Sequence, residues 1–464
     1  MIGYILLALG LILYLLELRK LSLFIFATFM LKGWRVLTDE VLDVKNFDLA
    51  FIFIFVVLAF TIFTEKKTRD LNDRHLRYWL WAFLVFLVLD ISFSYTHYHF
   101  TGYQILQGSR ASFLFLSYFF LRKQKVEDLL WLNRAFFYIT LVTSILYILE
   151  VFLNLPVLPY KQDTAKIDEY TGIMRYYNFP PLLYWYLFVS ILSPHILKSK
   201  ITFPAIFVFI IALFATLGRT QIAMTSIVLL LALIIQGKAK SILTAVFVAM
   251  ILVAPFAGII GNRFAGKFND STENEIKSVF NGGIQETVYL GNAHDVGTFT
   301  YRMAWVYERA EYLTTRPLSE NVFGLGLISD SQSLTINKLY NFNLGLLDEE
   351  GETQQLSTPD ISYGNLLTKY GYFGGVLYLC IWFYLMFYLF KYHRKSDYAF
   401  LGAALTLNMF LLSFSGTTIS DQGNFIFPFI IYLMVNKAVT EKKRHNQYIV
   451  ANNEDNGDSI PDNR

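Results

Sequence analysis

Residues 201–236 read ITFPAIFVFIIALFATLGRTQIAMTSIVLLLALIIQ, two apolar runs interrupted only by Thr216-Leu217-Gly218-Arg219-Thr220-Gln221. Each run approaches the roughly 20 residues that a helix needs to cross a hydrocarbon core. Helix is required because a strand outside a closed barrel leaves amide and carbonyl groups unpaired in lipid. The alternating polar and apolar pattern of a barrel strand is absent. The short polar turn between the runs is therefore a reversal at a membrane boundary.

The remainder of the chain repeats this reading. Of 464 residues, 55% are hydrophobic and 16% charged, and the mean hydropathy is +0.43. Such a chain is too apolar for a water-soluble globule. Spans are predicted near 3–17, 21–36, 48–64, 78–95, 105–121, 127–153, 181–197, 201–217, 220–236, 241–260, 363–390, 398–415 and 423–437. The expected fold is an all-α polytopic membrane protein with about 12–13 transmembrane helices. Its membrane domain covers 1–440, with one large loop, 261–360, inserted in it. Residues 441–464 are polar and poor in aromatics, so a disordered tail is expected there. The amino-terminal segment has no basic stretch or small-residue cleavage site and reads as a retained first span. No internal repeat and no Pro- or Gly/Ser-rich linker divides the chain.

Charge narrows the function. Lys and Arg number 39 against 36 Asp and Glu, a formal +3 that makes no polyanion-binding face by number, so nucleic acid is not expected as a partner. The single cysteine, Cys380, lies in an apolar run, which excludes a disulfide framework and a thiolate metal site. Alternate connectors and the tail hold 22 Lys and Arg, whereas the short loops of the other face hold 6. That bias places the tail in the cytoplasm and the 261–360 loop outside.

The loop is too long for a simple connector, which makes it a functional candidate. Residues 299, 303, 306, 310 and 313 form an apolar stripe at helical spacing, ended by Pro317, and Gly324-Leu325-Gly326 is a turn signal. With 7 basic and 14 acidic residues the loop does not attract anions as a whole. An anion site there must come from individual arginines.

Three arginines are candidates. Arg219, in the tight turn, can hold a pyrophosphate or carboxylate bidentately, or can snorkel to lipid phosphate. Arg302, on the face opposite the loop stripe, can point at a site or pair with Glu308 or another loop carboxylate. Arg175 precedes another span edge on the same side. Arg110 and Asp90, on adjacent spans, are expected to pair with each other. Among proton acceptors, His97, His99, His294 and Asp360, the best placed is Asp360, just before a span, with a helix cap as its alternative role. Tyr301, Trp305 and Tyr363 are candidates for stacking on sugar rings or for interface anchors. Glu349 and Glu350 lack a recognisable ligand loop and read as a solvated acidic run, so no metal site is expected.

The order of these features resembles the O-antigen polymerase and O-antigen ligase superfamily of bacterial envelope glycosyltransferases. Three landmarks carry the resemblance. They are the turn Leu217-Gly218-Arg219-Thr220, the loop helix Arg302-Met303-Ala304-Trp305 running into Pro317 and Gly324-Leu325-Gly326, and Asp360 followed by Leu366-Leu367-Thr368-Lys369-Tyr370-Gly371-Tyr372-Phe373-Gly374. The matched part covers roughly residues 205–390.

The resemblance implies a C-type glycosyltransferase membrane fold in the bacterial inner membrane, with a periplasmic loop. It implies a metal-independent enzyme without cofactor, acting on an undecaprenyl-pyrophosphate-linked oligosaccharide, with membrane lipid and a chain-length regulator protein as further partners. Arg219 and Arg302 would hold the donor pyrophosphate, and Asp360 would take the acceptor's proton. The ligase branch opens the third landmark with histidine, which here is Asp360, so the polymerase is expected and the ligase is the alternative. A flippase for lipid-linked sugars, from another class, predicts two related halves that the chain does not show.

Overall fold

The computed structural model describes residues 1–64, 73–159, 165–167, 174–176, 179–237, 277, 279–291, 298–330, 340–345 and 355–455. Apart from a two-stranded antiparallel ribbon, β1 (Ala165–Ile167) and β2 (Met174–Tyr176), the described elements are helical. Helices α1 (Ile2–Leu15), α2 (Arg19–Met30), α3 (Asn46–Thr64), α4 (Arg74–Thr96), α5 (Gly102–Ser109), α6 (Ser117–Arg122) and α7 (Val126–Leu153) precede the ribbon. After it come α8 (Leu183–Leu192), α9 (Thr202–Ala215) and α10 (Arg219–Ile235). The insertion contributes α11 (Gly283–Leu290), α12 (Thr298–Thr314) and α13 (Leu318–Phe323). The chain closes with α14 (Ser362–Lys391), α15 (Asp397–Leu412) and α16 (Ile426–Asp455).

Four segments are long and apolar enough to cross a membrane: Arg74–Thr96, Val126–Leu153, Ser362–Lys391 and Gln422–Glu441. Shorter apolar helices, α1, most of α3, α8, α9, α10 and α15, accompany them. The protein is thus an all-α membrane protein in its described residues. The span expected over 241–260 lies outside them.

Several expected spans are interrupted. The 105–121 segment is α5, a tighter turn over Arg110–Leu116, and α6. Buried hydroxyls at Ser109, Ser112 and Ser117 and the Arg110–Asp48 ion pair, 2.9 Å, stand where a continuous apolar stripe would be. Arg110 therefore does not pair with Asp90, as its spacing predicts; Asp90 is buried within α4. The 21–36 segment ends at Met30 and passes into a turn in which Lys32, Gly33, Trp34 and Arg35 all have positive φ. At the other terminus, helix continues to Asp455, past the point where composition predicts a disordered tail. Most residues between Asn436 and Arg444 have moderate to high helix propensity, so an anchored helix can propagate through them.

α14 is the spine of the described fold, packing against α4, α12, α13 and α15. Glycines set the closeness of these contacts. A Cβ on Gly374 would lie 2.2 Å from Phe86 of α4, and one on Gly364 2.3 Å from Trp305 of α12. At the end away from the insertion, the fully buried Asp73 carboxylate joins α4 to α6. It accepts from Arg77 at 2.9 Å, Arg122 at 2.5 Å and Tyr118 at 2.8 Å.

The helix of α14 breaks at Gly371, with φ 64° and ψ −169°, a conformation essentially reserved for glycine. Helix kinks release carbonyls that lipid cannot satisfy. Here the insertion supplies a partner: Leu325 N–H donates to Thr368 O at 2.8 Å. Gly324 permits the approach, since its Cβ would fall 2.6 Å from both Gly371 N and Thr368 O. The flanking contacts are Tyr98 Oη donating to Gly324 O at 2.9 Å and Leu327 N–H donating to Ser94 Oγ at 3.0 Å.

Gly371→Ala is expected to destabilise the protein by at least about 2 kcal/mol, because a methyl group adds a clash to a glycine-only conformation. The check is thermal unfolding of the detergent-solubilised protein. Gly375→Ala, whose added carbon would meet only Leu366 O at 3.8 Å, should melt near the native temperature.

Candidate functional site

The loop helix α12 presents a different face to the core than its apolar stripe predicts. Thr300, Ala304, Trp305, Glu308, Arg309 and Leu313 are the buried positions, whereas Met303, Val306 and Ala310 are only partly buried. The reason is Arg309. Its guanidinium is fully buried, 3.9 Å above the Trp305 ring and 4.3 Å from that of Phe342. It donates to Leu344 O at 2.8 Å and to Gln355 O at 3.3 Å, and pairs with Glu308 at 2.6 Å. Glu308 in turn accepts the amides of Asn343 and Leu344, at 2.5 and 3.2 Å. One ion pair thus satisfies the backbone of loop segments that have no secondary structure of their own. Burial raises the Glu308 carboxyl and pushes Arg309 down to about 10, which leaves the guanidinium charged at neutral pH.

With Arg309 anchoring the helix, Arg302, two turns earlier on α12, lies against the start of α14. Its Nη2 donates to Asp360 Oδ1 at 3.4 Å. The guanidinium side chain is 16% exposed and the carboxylate 46%. Arg302 Nε is buried and has no hydrogen-bond partner among the described residues. The leading proton-acceptor candidate and one of the anion-binding candidates are therefore neighbours, so the pairing of Arg302 with a loop carboxylate is realised by Asp360, not by Glu308. Asp360 is not the helix cap: Ile361 holds that position, and no side-chain cap bond is made there.

The aromatic candidates sit around this pair. Tyr301 is half-buried; burial raises its hydroxyl, the Arg309 charge lowers it and the Asp360 charge raises it. Trp305 is fully buried, with Arg309 over its ring and the Gly364 backbone against its six-membered edge, so no face is open to a sugar in this arrangement. Tyr363 Oη donates to Phe410 O at 2.9 Å, and its ring packs on Phe410 and Phe414. These contacts tie the start of α14 to the end of α15, as does Ser362 N–H donating to Ser413 O at 3.0 Å.

Arg219 opens α10 from the turn where its spacing places it, and is half-buried. Arg175, on β2, donates from Nε to Thr216 O at 3.2 Å and so lies beside that turn. Tyr147 Oη fastens the same region by donating to Tyr176 O at 3.0 Å. Arg35, which entered the sequence argument only through its charge, donates to Phe179 O at 3.3 Å and extends the arginine group. The turn reaches the Arg302–Asp360 pair through successive helix packing, α10 on α15, α15 on α14, and α14 on α12.

Of the other candidates, His97 Nε2 lies 3.1 Å from Glu320 Oε1, and Glu320 also accepts from Arg316 at 3.0 Å. That triad fastens α4 to α13. His294, Glu349 and Glu350 lie outside the described residues. Among the described residues no group of three His, Cys, Asp or Glu side chains could hold a metal ion. Arg309 was missed by sequence reasoning, although Trp305 and Arg309 stand at the i,i+4 spacing of a stacked pair on one helix.

Comparison with protein-family models and with curated proteins finds no match to this chain.

Arg309→Met is expected to destabilise the insertion by roughly 3–5 kcal/mol, because Glu308 is left as an uncompensated buried charge. Limited proteolysis should show faster cleavage within 298–360, while the double variant Glu308→Gln/Arg309→Met recovers part of the loss.

Proposed function

We propose that this protein is a metal-independent glycosyltransferase that joins lipid-linked oligosaccharide repeat units into a long polysaccharide at the face of the membrane carrying the 261–360 insertion. In this reading the spans form a C-type glycosyltransferase bundle in a bacterial inner membrane, the insertion is periplasmic and the carboxy-terminus cytoplasmic. The donor is an undecaprenyl-pyrophosphate-linked glycan, and the acceptor is a sugar hydroxyl of a second unit.

The observation that carries the reading is the Arg302–Asp360 pair: a guanidinium whose buried Nε–H has no partner among the described residues, with Nη2 3.4 Å from a half-exposed carboxylate, where the insertion meets the start of α14. A departing pyrophosphate needs its growing charge neutralised, and preorganised guanidinium groups do this without proton transfer. A carboxylate alongside can accept the proton released by the attacking hydroxyl. In this reading Arg219, at the start of α10 near Arg175, supplies further positive charge to the pyrophosphate. One displacement then suffices: the hydroxyl oxygen bonds to the anomeric carbon, the carbon–phosphate oxygen bond breaks, and the proton passes to Asp360.

The test is a glycan ladder from a deletion strain complemented with variants, with protein levels matched. Arg302→Ala, Arg219→Ala and Asp360→Asn should each reduce chain extension by roughly 10²-fold or more. Arg302→Lys should rescue only partly, since bidentate geometry is lost. Long chains at native levels in either arginine-to-alanine variant would remove that residue from the site. Loss of all attached sugar in the deletion strain, rather than loss of long chains alone, would replace polymerase by ligase.

A further inference from the structure

A second feature of the same end of the bundle is not used by that chemistry. Between α2, the start of α3, and the turn before α16 lies a cavity of about 410 Å³, within the usual size range of small-molecule sites. Its polar lining includes Thr38, Asp39, Asn46, Asp421 and Gln422. The Lys32–Arg35 turn forms one wall, with Lys32, Trp34 and Arg35 all at positive φ. Each such non-glycine residue costs of order 1 kcal/mol, and strain of this kind collects at ligand sites.

The cavity holds unmet hydrogen-bonding capacity. Asn46 is 2% exposed; its amide nitrogen donates to Leu37 O at 2.9 Å and Asp39 Oδ1 at 3.0 Å, which fixes the orientation of the group. Its carbonyl oxygen, and the hydroxyl of Thr38, are buried without a partner among the described residues. Of the cations in the wall, Lys32 pairs with Asp421 at 2.5 Å and Arg35 donates through Nε to Phe179 O. The lining sets these two cations beside three carboxylates, Asp39, Glu40 and Asp421, so it does not favour an anion. The fixed Asn46 carbonyl calls for a donor and the Thr38 hydroxyl for a donor or an acceptor, and sugar hydroxyl groups, which both donate and accept, meet that demand.

The cavity does not stand alone. Phe47, in its lining, begins a stripe on α3 that continues one turn apart through Phe51 and Phe55. Those two rings line an open apolar groove of about 600 Å³, together with Ile91, Ile105, Leu106 and Phe113. At the junction, Arg110 lies 4.7 Å over the Phe47 ring and pairs with Asp48, and its Nε is buried without a partner among the described residues. From the end of the bundle inward the order is hydroxyl-binding cavity, guanidinium, hydrocarbon groove.

We propose that this array is a second lipid-linked glycan site, with the sugar head in the cavity, the phosphate linker at Arg110 Nε and the polyprenyl chain along Phe51 and Phe55. It rests on the glycosyltransferase reading for its role, which is to present the acceptor. Ser420 N–H donates to Ser362 Oγ at 3.4 Å, so Asp421 in the cavity wall is close in the fold to the segment bearing Asp360.

Native mass spectrometry of the full-length protein, with a short polyprenyl diphosphate bearing N-acetylglucosamine and the bare polyprenyl diphosphate as probes, tests the site. Two molecules of the glycolipid should bind per chain. Asn46→Leu and Thr38→Val should weaken one of them by about tenfold or more and erase its preference over the bare lipid, and Arg110→Gln should weaken the same one. Arg302→Ala should affect only the other. Thermal unfolding identifies any variant that fails to fold, and Thr38→Val, nearly equal in shape, keeps the test decisive if Asn46→Leu does. Two binding events indifferent to Thr38, Asn46 and Arg110, or a single event sensitive only to Arg302, would overturn this site while leaving the proposed function intact. A single event sensitive to Asn46 but not to Arg302 would uphold this site and count against the proposed function.

Discussion

The backbone hydrogen bond from Leu325 to Thr368 holds the insertion to the bundle. A kink in an apolar helix exposes carbonyl groups where water is scarce, and each one left unpaired costs several kcal/mol. α14 carries such a kink at Gly371, and the insertion repairs it with its own amide. The two glycines make this possible from opposite sides, since Gly324 and Gly371 would each collide with the other's backbone if either had a Cβ. A break in one helix has become the receptor for a segment 43 residues earlier in the chain, counted from Leu325 to Thr368.

That docking determines where the candidate site can form. Once 324–328 is seated, α12 and α13 are held against α14, and Arg302 meets Asp360 across that interface. The Glu308–Arg309 pair does for the irregular part of the insertion what the kink does for its join, replacing absent secondary structure by charged hydrogen bonds to backbone. Both devices place strong polar groups where they are shielded from water. Arg302 differs in keeping one donor without a partner among the described residues, beside a half-exposed carboxylate, and this separates a site from a structural staple.

The interrupted spans follow the same logic. The 105–121 segment has the hydropathy of a single span, yet it is divided by serines and Arg110 into three pieces. The 21–36 segment turns left-handed at Lys32. Both breaks occur at the end of the bundle that carries the insertion, and together they surround the polar cavity and the groove beneath it. Regular helix would have filled that space with its own side chains.

Hydropathy alone determined that this is a helical membrane protein, because the need to pair every backbone group within lipid leaves a long apolar run no other regular choice. It also marked the positions of most helices, the turn before Arg219 and the loop helix, since length and period are local properties. The face that α12 buries, the partner of Arg110 and the pairing of Arg302 with Asp360 were decided only by the tertiary structure. Each depends on a charged residue finding its counterpart across a long sequence separation, as Arg302 does 58 residues away. An apolar stripe cannot register a buried guanidinium that stacks on Trp305 and binds the carbonyls of Leu344 and Gln355, because the energy of that arrangement belongs to the partners and not to the residue.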